Sequence, residues 1–306
     1  MQTSKILRCC ACFLVIFLTI NRVTAQENSM EADNYVTNVF NYGLLINTQT
    51  TETVNKGSFE FRIQHRFGEM DVTDFKNTVL EEFLGFDGSA NIRFGLVYAV
   101  SDRFQLGFGR TKIDKVIDVE GKYRLFRQKE PGSGSPISAT LYFNTGFSTV
   151  DFPEVAPNEF FADFETPFVH RFAHRFSYNT QLLLSRKFGS KFSLELNPTL
   201  IYKNIAPAGS NNLVFATTLG GRLKTGFTSS IIFEYTTKFN NKMDGYKSPL
   251  SIGYEIGTAG HAFQFFIATT NRIIEQGIHF SQPLDYTEGQ LLIGFNIKRT
   301  FFHGNN

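Results

Sequence analysis

From residue 57 to the end of the chain, apolar side chains fall at every second position in one segment after another. In SFEFRIQHR, Phe59, Phe61 and Ile63 alternate with Glu60, Arg62 and Gln64. In NIRFGLVYAV, Ile92, Phe94, Leu96 and Tyr98 alternate with Asn91, Arg93 and Gly95. RFQLGFGR puts Phe104, Leu106 and Phe108 on one side. In GYEIGTAGHAFQFFIATT, a run carrying Tyr254 and Ile256 stops at Thr258-Ala259-Gly260, and a run carrying Phe263, Phe265 and Ile267 begins. A period of two belongs to β-strands whose two faces see different surroundings. Further segments of this kind lie near 115–127, 137–149, 172–187, 190–203, 212–224, 226–238, 248–258, 261–270 and 289–300. Together they predict about twelve strands.

Period alone does not say whether the apolar face points into a soluble sandwich or out into lipid. Strand length and loop length do bear on it. Many segments reach ten residues, which suits a tilted crossing of a bilayer. Short joins at Ser101-Asp102-Arg103, Gly189-Ser190, Thr225-Gly226 and Thr258 to Gly260 alternate with longer ones near 67–89, 150–171, 204–211, 239–247 and 271–288. KEPGSGSP (Lys129 to Pro136) is a middling join on the short side. Short turns on one side and long loops on the other are what a transmembrane barrel produces. The fold class expected is therefore all-β: a transmembrane antiparallel β-barrel of about 12 strands, with short periplasmic turns and long extracellular loops. In such a barrel Phe263, Phe265 and Ile267 face lipid, while Glu255 and Gln264 face the lumen.

The N-terminus agrees with export. Lys5 and Arg8 precede the apolar run Ala11 to Ile20, and Val23-Thr24-Ala25 follows. That order reads as a secretory signal peptide over 1–25. All three cysteines, Cys9, Cys10 and Cys12, lie inside it. The mature chain then has no disulfide and no thiolate site. Of the 30 Lys and Arg, removal of Lys5, Arg8 and Arg22 leaves 27 against 28 acidic residues, a net charge of −1. No basic excess points to nucleic acid. After the signal no apolar run is long enough for a membrane helix, so a membrane would be crossed by strands.

Four blocks, LINTQTTETVNKGSFEFRIQHRFG, DGSANIRFGLVYAVSDRF, GYEIGTAGHAFQFF and IGFNIKRTF, resemble an uncharacterised, domain-of-unknown-function family of Bacteroidetes-type outer-membrane β-barrels. The resemblance spans roughly 40–302, with Ala259 standing where a second glycine is expected before His261. It implies a barrel in the outer membrane of a Gram-negative bacterium and brings no activity or site residues. Outer-membrane barrels are similar in ending on an aromatic residue that the barrel assembly machinery reads; here Phe301 and Phe302 are followed by four more residues.

Parity assigns a lumen face. Arg62, Arg93, Gln105, Glu120, Lys122, Arg124, Glu195, Arg222, Glu234 and Glu255 project inward, with Asn144, Gln181, Lys224 and Lys298. Both signs occur, as in a mildly selective pore lining or in pairs that fill the lumen. Residues 57–302 form the barrel. Residues 26–56 precede it as a periplasmic arm or an extra strand; the partial alternation of 34–54 also fits a segment entering the lumen. In the first long loop Asp71 caps a predicted helix with Val72, Phe75, Val79, Leu80, Phe83 and Leu84 on one face, ended by Gly85. It either lies on the rim or folds inward to constrict the lumen.

The function this supports is a passive pore or uptake channel for small solutes in outer-membrane lipid. A closed structural or partner-binding barrel is the alternative, as is a blocked lumen holding an apolar ligand near the Phe-rich loop 150–171. A third is a lipid hydrolase: His279 and Ser281 are two apart, and a His-x-Ser pair resembles that of outer-membrane phospholipase A, with Ser281 as nucleophile and His279 as base. His170 and His174 share a face beside Asp163 and Glu165, but no four-ligand spacing appears and no Cys-x-x-Cys-His motif exists. No cofactor or metal is expected. His261 is expected at the membrane–water boundary.

Overall fold

In the computed structural model the described residues are 34–161, 163, 165–207, 209–242 and 244–302. The expected signal peptide with its cysteines, residues 26–33 and His303 lie outside them. Twelve strands close into an antiparallel barrel, each paired with its neighbours in sequence and β12 with β1. They are β1 (Phe59–Asp71), β2 (Asn91–Ala99), β3 (Phe104–Thr111), β4 (Val116–Phe126), β5 (Ser138–Ser148), β6 (Phe176–Phe188), β7 (Phe192–Lys203), β8 (Leu213–Lys224), β9 (Ser229–Lys238), β10 (Leu250–Gly257), β11 (His261–Ala268) and β12 (Gln290–Phe301). Closure pairs Arg62 with Lys298 and Ile63 with Ile297, with a bulge between Arg66 and Glu69. A closed ladder leaves no strand edge unpaired, as a sheet surrounded by hydrocarbon requires.

The faces are inverted relative to a soluble protein. Phe94, Phe108, Leu196 and Phe265 are exposed on the outside. Glu60, Arg62, Glu120, Lys122, Glu195, Glu234 and Glu255 are buried inside. An exposed apolar belt over a buried polar interior is the arrangement lipid selects. Aromatic rings cover neighbouring strands on the outer face, as where Phe59 meets Tyr98 at 4.6 Å and His65 stacks on Phe295 at 5.0 Å.

The connections sort by end. The β2–β3, β6–β7, β8–β9 and β10–β11 turns and the middling β4–β5 join lie at one end, called here the turn end; the other connections, mostly longer, lie at the loop end. One departure from the expected alternation is the β3–β4 connection. It is the tight turn 112–115 at the loop end, in which Asp114 and Lys115 take positive φ.

The predicted helix at 71–84 is corrected. β1 runs on through Asp71, and only Phe75–Glu81 is helical, as a π-helix. Asp71 instead accepts the backbone N–H and hydroxyl of Thr73, a local turn that competes with a helix cap. Of the expected apolar face only Val79 is buried. The loop lies outside the lumen: Phe86 packs on Phe67, 4.2 Å between rings, and Phe67 on Phe295 of the outer face.

Of the three readings open for residues 26–56, the described residues follow the one that enters the lumen; 26–33 lie outside them. From Tyr35 onward the chain forms neither an extra barrel strand nor an arm outside the barrel. Residues 35–38 sit at the turn end, where Tyr35 bridges to Lys129 and the Val36 N–H bonds the Gln128 carbonyl. The chain then enters the lumen, turns and returns to β1. Leu45 N–H bonds the Thr48 carbonyl, and Thr50 N–H the Gly43 carbonyl, so 43–50 is a small hairpin.

Candidate functional site: the barrel lumen

The hairpin is held through its backbone, by side chains that the strands aim inward. The Glu234 carboxylate on β9 accepts the N–H groups of Ile46 (3.2 Å), Asn47 (2.9 Å) and Thr48 (3.2 Å), and the side-chain amide of Asn47. Lys122 on β4 does the converse. Its ammonium donates to the carbonyls of Gly43 (2.8 Å), Thr50 (3.0 Å) and Glu52 (3.1 Å). One anion therefore gathers three backbone donors and a side-chain amide, and one cation gathers three acceptors, each a charge-assisted bond. Gly43 suits this approach: a Cβ there would stand 3.2 Å from the Arg62 guanidinium, which would have to shift slightly.

Other wall residues complete the grip. Asn296 donates to the Ile46 carbonyl (2.9 Å) and Arg66 to the Asn47 side chain (2.8 Å). Asn197 donates to the Gln49 carbonyl (3.0 Å), and Thr51 N–H donates to Glu195 (3.0 Å). Val54 N–H reaches Gln105 (2.9 Å). The tip is also seated in an apolar cluster: Val39, Phe40, Leu45 and Ile46 against Ile232, Phe266, Ala268 and Leu292. Gly220 makes room for it; a Cβ there would lie 2.5 Å from Leu45.

Beside the hairpin runs an ion network. Arg62 pairs with Glu60 (2.7 Å) and Glu120 (3.0 Å), and Arg93 with Asp118 (2.6 Å) and Glu120 (3.3 Å). Tyr142 and Asn144 donate to Glu120 and Asp118. Lys298 lies 3.4 Å from Glu60. On the opposite wall Glu255 accepts from Gln264 (2.8 Å) and Asn41 (3.0 Å), with Arg222 at 3.6 Å. Arg124 sits at the turn-end mouth, bonded to Thr53 and to the Asp102 carbonyl. Lys224 is half-buried near the same end, over the Phe227 ring.

A second segment enters the lumen from the loop end and narrows it. The β11–β12 loop folds inward and forms a short helix, α1 (Glu275–His279), with Ile273, Ile278 and most of the helix buried. Gln181 donates to Glu275 (3.0 Å), and Gln276 to Asn144 (2.7 Å). Lys238 donates to the His279 carbonyl (3.0 Å). Between hairpin and α1 remains a void of about 10 Å³, enough for about one water. Above α1, at the loop end, opens a vestibule of about 310 Å³.

The geometry does not assemble the hydrolytic pair. Ser281 donates weakly to the Ile278 carbonyl (3.4 Å), while His279 faces Glu275 at 3.2 Å inside the lumen. His279 is fully buried, and Ser281 is half-buried in the loop that follows α1. His170 stacks on Phe152 (4.3 Å) and its ring lies 6.5 Å from that of His174. His174 accepts the Arg171 N–H, and partial burial with the nearby Arg171 and His170 holds its imidazole below the usual histidine range. Asp163 is occupied by the N–H groups of Glu165 and Thr166. His261, on the outer face, bonds Arg299 (2.9 Å) and stacks on Phe263.

Several lumen residues were missed from sequence although the signal for them was present. Glu60, Gln64 and Arg66 share the parity of Arg62, and Asp118 shares that of Glu120. Of the two inserted segments, 34–54 carries only a partial alternation and 269–289 no such signal.

A closed twelve-stranded barrel with an apolar belt and an occupied polar lumen defines a membrane-spanning β-barrel. Residues 40–301 match the family described as a membrane bound beta barrel domain (DUF5777), and the chain belongs to that family. No curated protein matches it. Among solved structures it is similar in fold to the NanC porin (10% identity, TM-score 0.47, covering 80% of this chain and 100% of that one). It is also similar to the KdgM porin (10%, 0.47, 80% and 99%) and to an outer membrane channel from Pseudomonas putida F1 (10%, 0.47, 82% and 97%).

Proposed function

We propose that this protein is an outer-membrane channel for small polar solutes, closed from within by the hairpin at 39–52. One observation carries this reading: the bore is wide enough to hold two inserted chain segments, and its own wall is polar. Narrow barrels are filled by their wall side chains alone. Here the filler is separate from the wall and is held by hydrogen bonds, ion contacts and one apolar cluster, all of which can break. With the hairpin withdrawn, the wall presents acids and bases of both signs around a water-accessible path. The leader-like N-terminus and the long loops at one end support insertion with that end outside and the turn end in the periplasm. Outer-membrane lipid and the barrel assembly machinery are the proposed partners of that insertion.

A second reading, a closed structural or partner-binding barrel, is favoured by how completely the hairpin backbone is bonded. The test is single-channel recording of the full mature chain and of a variant lacking 35–54. The channel reading expects rare openings in the first and stable conductance in the second. A properly inserted deletion variant that stays silent supports the closed barrel. The separated positions of Ser281 and His279 lend the hydrolase no support.

A further inference from the structure

One charge on the outer face of the barrel is left without a partner. Among the described residues three arginines project outward from strands: Arg110 near the loop end of β3, Arg186 on β6 and Arg299 on β12. The protein itself accommodates two of them, at the turn end. Arg186 lies over the Phe188 ring at 5.0 Å. Arg299 bonds His261 (2.9 Å) and lies over Phe301 at 5.1 Å. Arg110 makes no hydrogen bond, ion pair or ring contact with any described residue. Its Nη1 is covered; Nε and Nη2, equally unbonded, stay open to the surroundings.

The setting of Arg110 is apolar. The register places it beside Phe94 of β2 and Ile117 of β4. Phe108, two residues below on the same face, is exposed on the belt. A guanidinium on the lipid face is costly unless it reaches the interface and finds an anion there. The ladder supplies a second cation just above. Lys112 N–H still bonds the Ile92 carbonyl (2.9 Å), so its backbone sits next above Arg110, about 7 Å away by strand geometry. Its ammonium spends one of three donors, on the Ala90 carbonyl (2.8 Å). The acid of the same turn, Asp114, is taken by Arg272 at 2.5 Å. The turn 112–115 is too short to fold back over the strands, unlike the β1–β2 loop, which lays Phe86 on Phe67 of the outer face.

We propose that Arg110 and Lys112 hold the phosphate monoester of a membrane lipid, the group carried by the phosphorylated glycolipid of a Gram-negative outer leaflet. A planar guanidinium takes two phosphate oxygens at once, and an ammonium takes another as a point charge. Two cations match a monoester, which carries about −1.5 to −2 near neutral pH. A phosphodiester headgroup has one ionisable oxygen fewer and leaves one of the two cations unbalanced. The acyl chains of the same lipid run down over Phe94, Leu96 and Phe108, all exposed on the belt. The inference goes beyond the channel reading and rests on it only for the leaflet, which follows from the loop end facing outward.

The test is native mass spectrometry of the detergent-solubilised full mature chain, titrated with bisphosphorylated lipid A. Phosphatidic acid and phosphatidylglycerol of matched chains run in parallel as monoester and diester, with inorganic phosphate as competitor. Lipid A and phosphatidic acid should be retained, with phosphatidylglycerol weaker by at least a few-fold. Arg110→Gln should lose about tenfold in lipid A affinity, and Arg110→Lys a few-fold, since the fork is lost and the charge kept. Arg186→Gln, at the turn end, should bind as the wild type does. A second readout guards against misfolding. Arg110→Leu removes a charge from the lipid face, so in neutral detergent its Tm should not fall. Lipid A should then raise the Tm of the wild type and not that of Arg110→Leu. Unchanged lipid A binding in Arg110→Gln overturns the proposal, as does phosphatidylglycerol retained as tightly as phosphatidic acid. Displacement of the lipid by an equal concentration of inorganic phosphate also overturns it, in favour of a site for soluble anions. Retention in detergent is read without conduction. A silent barrel that keeps the lipid refutes only the channel, and a conducting barrel that does not keep it refutes only the site.

Discussion

The two halves of the lumen are built on opposite principles. In the turn-end half every feature works against emptiness. Glu234 and Lys122 each answer three backbone groups of the hairpin, and Leu45 fills the space left by Gly220. In the loop-end half a cavity of about 310 Å³ stays open, lined by charges of both signs: Lys203, Arg175 and Arg272 with Asp114 and Asp151. The same barrel wall supplies both. The difference lies in what the wall faces: a chain segment that satisfies it, or a space that does not. The contrast teaches that a polar lumen face is not by itself a pore lining. Its meaning depends on whether the groups are already matched.

Removing the hairpin should erase the contrast, and this is the largest effect expected. A variant lacking 35–54 should conduct at least about ten times more charge than the wild type in the same bilayer, because two-segment filling becomes one. Loss of the apolar cluster around Ile46 will also lower its thermal stability. Glu234→Ala should loosen the hairpin without deleting it. It leaves three buried N–H groups without an acceptor, each worth about 1–3 kcal/mol. Hydrogen exchange at Ile46, Asn47 and Thr48 should then speed by two orders of magnitude or more; unchanged protection there would mean that the carboxylate is not the clamp.

Gly220→Val should act more mildly. Overpacking at a close contact costs about 1–3 kcal/mol, and the expected signs are a lowered Tm and a higher opening frequency with unchanged conductance. Ser281→Ala sits at the bottom of the scale. Its hydroxyl makes one weak bond, so stability and conductance should not move measurably. Loss of a lipid hydrolase activity in that variant alone would reopen the enzymatic reading.

The barrel was legible because lipid imposes a strict period of two over many residues. All twelve strands lie where the alternation of phenylalanines and leucines with polar residues puts them. Parity likewise gave the inward direction of Arg62, Glu120, Glu234 and Glu255. It could not give their partners, because partners come from strands and segments far apart in sequence; Glu234 and Asn47 are 187 residues apart. The hairpin was one of three readings of 34–54, since a buried turn bonded by side chains leaves only a partial alternation. The inward fold of 269–289 left less trace still. Ile278 is buried from a helix of five residues, too short to show a period, and Ile273 from the loop just before it. The π-helix at 75–81 lost its predicted cap because Asp71 found a nearer partner in Thr73.

The most direct measurement is reversible locking of the hairpin during single-channel recording. Thr48 and Asn197 touch, 3.1 Å between side-chain atoms, and the three native cysteines all lie before residue 13. A Thr48→Cys/Asn197→Cys variant, bridged by a short reducible thiosulfonate cross-linker, should be silent. Reduction in the same bilayer should restore the openings of the uncross-linked protein. Equal conductance before and after reduction, with cross-linking confirmed by mass, would contradict the account: the hairpin would then not be what closes the lumen.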